Sequence, residues 1–182
     1  MNKLFACLFV CAATLGFAST APAATPEAKA TYKAAEDSAA ADYKIARAKC
    51  DSLTGNPKDV CIEEAKAAEK RSNAEAEAQF KHTLKARTSA RIAMAEADYA
   101  VAKAKCGAMV GNDKDVCIKE AKAVETKAIA DAKAHKKVAE AKTEAREDTR
   151  DAQYDAALEK CSALAGAAKD TCIASTKVQF GK

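Results

Sequence analysis

The chain of 182 residues carries 30 Lys and Arg against 26 Asp and Glu, a net charge of +4. Charged residues make up 31%, aromatics only 5%, and Trp is absent, which excludes a core built mainly from large aromatic and aliphatic side chains. The two signs of charge are interleaved, which describes a solvated surface and argues against a specific nucleic-acid footprint.

The first three residues form a short basic start, residues 4–17 are apolar, and Ala21-Pro22-Ala23 supplies small residues at the end. This three-part layout predicts a cleaved secretory signal over residues 1–23. The apolar run is too short to cross a bilayer as a stable helix, so no transmembrane anchor is expected after cleavage. The competing reading is lipidation at Cys11, which the bulky Val10 before it disfavours. Cys7 and Cys11 leave with the signal. The remainder, residues 24–182, is expected to be one elongated helical repeat domain.

Six cysteines remain in three pairs: Cys50 with Cys61, Cys106 with Cys117, and Cys161 with Cys172. Ten residues separate the members of each pair, and each interval holds a Gly followed by Lys-Asp. An exported chain with an even cysteine count reads as a disulfide protein, and the repetition favours three local bridges. A thiolate metal site is the weaker alternative, because His82 and His135 both lie away from the cysteine pairs and no C-x-x-C occurs.

The pairs belong to an internal repeat with a period of about 55 residues, covering residues 39–94, 95–151 and 152–182. Residues 39–81 match residues 95–137 at about half of their positions. Alanine supplies about a quarter of the chain beyond the signal, and Ala, Lys and Glu are strong helix formers. Gly and Pro gather at the cysteine intervals, which predicts four helices over residues 26–54, 57–110, 113–165 and 168–180. The two central helices would each run roughly 80 Å; Thr88-Ser89, where two residues of modest propensity adjoin, is one place where such a rod could break, and the sequence leaves open whether it does.

The bends carry their own chemistry. Gly55 is expected as a left-handed C-cap, Asn56 as the next N-cap and Pro57 at the first helical position, with Gly111-Asn112 repeating the pattern. The third copy keeps Gly166 but has Ala167 in place of the Asn, which would weaken that cap by about 1 kcal/mol. Cys50 and Cys61 are symmetric about their bend, so they face each other across an antiparallel hairpin. The fold class is therefore all-α: elongated antiparallel helical hairpins or a bundle, with three disulfide-stapled turns. Tyr43, Tyr99 and Tyr154 lie at helical spacing from Cys50, Cys106 and Cys161, and packing explains them better than ligand stacking.

One charge pattern stands out. From Lys81 to Met94 there is no acidic residue, while Lys81, Lys85, Arg87 and Arg91 are basic. Folding the second and third helices about Gly111-Asn112 would set Arg87 opposite Lys136 and Lys81 opposite Lys142, with Lys133 and Lys137 nearby. Such a belt suits a polyanion or lipid headgroups, and its plainer reading is a solvated cluster. No glycine-rich phosphate loop, activated Ser or Cys, or metal-binding His pair is present, so neither an enzyme nor a cofactor is expected.

The signal, the Ala/Lys/Glu helices and the repeated C-x10-C hairpin resemble small bacterial envelope proteins of the TolA-like kind. The likeness covers most of the chain after the signal. A rigid exported rod with many small side chains and no reactive site is expected to be a periplasmic or secreted structural, spacer or interaction module, with polyanion binding through the belt, or a thiol- or metal-binding envelope stress role, as the alternatives. Its partner would be a protein or an envelope polymer, and self-association through alanine stripes is a further expectation. The expected cleavable signal replaces the membrane anchor of TolA, so the trans-envelope energy-coupling role is not implied. The hairpin is also similar in geometry to the twin C-x9-C fold of mitochondrial intermembrane-space proteins.

Overall fold

A computed structural model describes residues 25–182; the expected signal, with Cys7 and Cys11, lies outside the described residues. Five helices follow one another: α1 (Pro26–Lys49), α2 (Gly55–Lys81), α3 (Leu84–Lys105), α4 (Gly111–Ser162) and α5 (Gly166–Phe180). No strand occurs among the described residues, and the all-α class with three stapled turns is the one expected. No described helix is long and apolar enough to cross a membrane.

The three cysteine bends share one backbone path. α1 tightens into a 3-10 turn at Cys50–Ser52, closed by the Leu53 amide donating to the Cys50 carbonyl at 3.1 Å. Thr54 is extended, Gly55 turns to φ +63°, and α2 begins. Met109, Val110 and Gly111 repeat this path, and so do Leu164, Ala165 and Gly166, with φ +56° at both glycines. Only glycine adopts that conformation without Cβ strain, which is why it recurs at all three bends.

The caps differ from those expected. Each glycine opens the helix that follows instead of closing the one before. The N-caps are Thr54, Val110 and Ala165, none with a side-chain cap bond. Asn56 and Asn112 therefore do not cap, and Ala167 weakens nothing. Because the preceding helix closes by 3-10 tightening, its end has no need of a left-handed residue.

The expected helix over residues 57–110 is two helices. The break falls at His82-Thr83, not at Thr88-Ser89. His82 is left-handed (φ 49°), and the Thr83 hydroxyl accepts from the Ala86 amide at 3.1 Å to start α3. Thr88 satisfies itself within the helix by donating to the Leu84 carbonyl at 2.8 Å, so its modest propensity breaks nothing. Residues 113–165 do form essentially one helix, the 52-residue α4.

The chain thus reverses four times, and each helix packs on its neighbours in sequence. α2 and α3 form an antiparallel pair with ion pairs Lys70–Glu96 (2.6 Å), Lys105–Glu64 (3.0 Å) and Arg71–Asp98. These are exposed and contribute at most about 1 kcal/mol each. The buried apolar side chains are alanines, such as Ala65, Ala67, Ala90 and Ala97, and the cysteines Cys50, Cys106 and Cys161. A methyl group per position lets helices approach closely but buries little area, about 0.8 kcal/mol per carbon.

α1, α2, α3 and the first half of α4 make up a four-helix body, with both of its cysteine bends at one end. Beyond Ala139, which lines a cleft with Leu84 at the start of α3, α4 leaves the body. Residues 141–150 are all exposed. At Asp151 the ion pair with Lys182 (2.8 Å) marks the end of α5, which folds back along the last part of α4. A bare single helix of about two to three turns therefore joins the body to a distal hairpin.

Candidate functional site

Cα separations are 5.6, 5.8 and 5.7 Å for Cys50–Cys61, Cys106–Cys117 and Cys161–Cys172, within the range a bridge requires. The bridging sulfurs hold the bends; as disulfides they offer neither a nucleophile nor a thiolate ligand. Around the first bend, Asp51 takes Arg47 (2.7 Å) and Lys58 (3.5 Å), which ties the end of α1 to the start of α2. The hydrogen bond from Arg47, then its charge, holds the Asp51 carboxyl below its ordinary range.

The first two bends touch. Asn56 donates its amide to the Ala104 carbonyl at 2.7 Å, a bond that spans two hairpins. Gly107 makes room for it, because a Cβ there would collide with the Asn56 amide nitrogen. The corresponding residues of the other copies are Asp51 and Ser162, so Gly107 is a feature of the second bend alone. Sequence reading missed this bond; its signal was a Gly directly after Cys106 in a helix-forming context.

Two of the tyrosines make contacts between paired helices. The Tyr154 ring lies 5.7 Å from Phe180 in a tilted pair, and Tyr99 takes Lys122 over its face at 4.8 Å. Lys122 also pairs with Glu125, which is buried against α3. Tyr43 is half-buried. Tyr32, not singled out before, stacks on Phe80 at 4.8 Å and donates to Glu36 at 2.7 Å, a bond that raises its phenol above its ordinary value.

The basic residues divide. Arg87, Arg91, His135 and Lys136 line a single cleft of about 250 Å³ between α3 and α4, walled by Leu84 and Ala139. Lys81 is on α2, paired with Glu77, and the reversal at His82 removes it from the helix on which its register with Lys142 was drawn. Lys142 lies on the bare stretch of α4. Lys85, Lys133 and Lys137 are exposed and outside the cleft lining. Of the eight basic residues expected in the belt, Arg87, Arg91 and Lys136 share one concavity, and His135 joins them.

Among the described residues no group of three or more His, Cys, Asp or Glu side chains is placed to hold a metal ion. Set against protein-family models, curated proteins and solved structures, the chain finds no match.

Proposed function

We propose that the chain is a non-enzymatic, exported helical protein of the bacterial cell envelope that acts as a spacer or interaction module, in the manner of TolA-like envelope proteins. The observation that carries this reading is the bare span of α4, where residues 141–150 are all exposed in a helix held between two disulfide-clamped regions. Such a helix has no internal packing to serve, and a 52-residue helix sets its two ends roughly 78 Å apart. Disulfides at every cysteine bend suit an oxidising compartment, as does the signal expected over residues 1–23. A protein or envelope polymer is the partner that such a surface fits.

The test is photo-cross-linking in cells from Ala141 and Ala145, two exposed alanines of the bare span. The expected result is a covalent adduct to a protein or envelope polymer, with the chain processed after Ala23 and recovered from the periplasm or medium. A chain that stays in the cytosol with free thiols, or yields no adduct from either position, contradicts the proposal.

A further inference from the structure

Ion pairs one helical turn apart neutralise a number of the charges on this molecule, as in Lys33–Asp37, Glu77–Lys81 and Lys127–Asp131. The start of α3 departs from this. Lys85 and Arg87 occupy its first turn, which has no acidic residue and lies at the positive end of the helix dipole. Arg91 then follows Arg87 at i+4, so two like charges share one face. No ion pair among the described residues engages Arg87, Arg91 or His135, and the only carboxylate on Lys136 is the exposed Glu140, at 3.4 Å. These departures converge on one concave place, the cleft of about 250 Å³ between α3 and α4. Four basic side chains lining one concavity, with a single exposed carboxylate among them, make a place that a negatively charged ligand would neutralise.

We propose that Arg87, Arg91, His135 and Lys136 form a binding site for a phosphoryl group. Two guanidinium forks one turn apart present paired N–H donors to a tetrahedral oxyanion, and Lys136 adds a point charge from the facing helix. The cleft is larger than a lone phosphate, and Leu84 and Ala139 provide an apolar wall for the group that carries it. Thr88 already donates to the Leu84 carbonyl at 2.8 Å and serves as wall, not ligand. Recognition is by a phosphate ester or pyrophosphate, free or as a lipid headgroup. The site stands independently of the spacer role.

Calorimetric titration of the full oxidised protein with inorganic pyrophosphate at low salt tests the site, and added salt should weaken binding. One site per chain is expected. Arg87→Gln with Arg91→Gln should weaken binding at least about tenfold, since two charge-assisted forks are lost. Glu140→Gln, which frees Lys136 from its carboxylate, should tighten binding about threefold. Lys160→Gln, on the distal hairpin, should leave it unchanged. Circular dichroism of each variant reports its folding, and the gain with Glu140→Gln cannot arise from misfolding. Phosphatidylcholine vesicles with and without phosphatidic acid identify the source. Capture by the acidic vesicles that pyrophosphate reverses supports a lipid phosphate, whereas pyrophosphate binding without capture supports a soluble ester. Absence of both overturns the site, as does undiminished affinity in the double arginine variant.

Discussion

Lys81 and Lys137 occupy equivalent positions in the first two copies of the repeat, yet the chain reverses after one and runs on as helix after the other. Up to that point the copies match at about half of their positions; beyond it they diverge. His82-Thr83 stands in the first copy where Val138-Ala139 stands in the second. His tolerates the left-handed region better than most residues, and Thr is a good N-cap. Val at the left-handed position would be a steric outlier, and Ala has no oxygen to cap with. Two residues therefore decide whether a long alanine-rich helix folds back onto its neighbour or runs on as one rod. Residues that propagate a helix equally well are shared, and the choice of where to stop is local.

The consequence is an uneven reliance on sulfur. The body holds three helix–helix interfaces and two disulfides, whereas the distal hairpin holds one interface, where Cys161 and Thr176 are the buried residues. Replacing both Cys161 and Cys172 by Ser should cost about 3 kcal/mol through loop-closure entropy alone. In the distal hairpin that loss should detach α5, seen as lost helical ellipticity and lost amide protection over residues 166–180. The same change at Cys106 and Cys117 should lower the melting temperature while leaving α1, α2 and α3 helical.

The reversal itself can be transplanted. Replacing His82-Thr83 with Val-Ala, the residues of the second copy, should cost about 2 kcal/mol, from left-handed strain at the Val and the lost Thr83 cap. Replacing His82 by Gly should do the opposite, raising stability by roughly 0.5 kcal/mol, because Gly relieves the strain but adds entropy to the unfolded chain. Equilibrium urea unfolding of both variants measures the two signs.

Acid should separate the regions last and least. Asp151 is held below its ordinary range mainly by its hydrogen bond with Lys182, and Asp51 by its bond with Arg47. A carboxylate depressed in the folded state contributes stability that is present above its unfolded pKa, about 3.9, and is lost as pH falls through the folded value. Thermal melts should be flat from neutrality to about pH 4, then fall slightly, with α5 loosening first because Lys182–Asp151 is one of its few ties to α4.

Much of this fold is legible in the residues. The C-x10-C spacing, the glycines and the helix-forming runs point to the hairpins, and the cysteines meet where their symmetry about each bend requires. The break at His82 is harder to read, because it uses no Gly or Pro and its two residues occur in helices elsewhere. The divergence of the repeat after Lys81 was the available signal. Asn56 and Asn112 look like caps because Asn often is one; the 3-10 closure at Cys50 and Cys106 moves the glycine to the following helix, and Asn56 bonds the Ala104 carbonyl instead. For the cationic cleft, the sequence shows an acid-free stretch, but the partition of Lys81 from Arg87 and Arg91 depends on that same reversal.

A distance measurement made twice, at matched positions of the two copies, tests the reversal most directly. Nitroxide labels on residues 70 and 96 bracket His82, and labels on residues 126 and 152 bracket the equivalent point in α4. Lys70 and Glu96 form an ion pair across the hairpin at 2.6 Å, so the first pair of labels should read a short separation. The second pair, 26 residues apart along one continuous helix, should read about 39 Å. Two equal separations near 39 Å, or two short ones, would contradict the account.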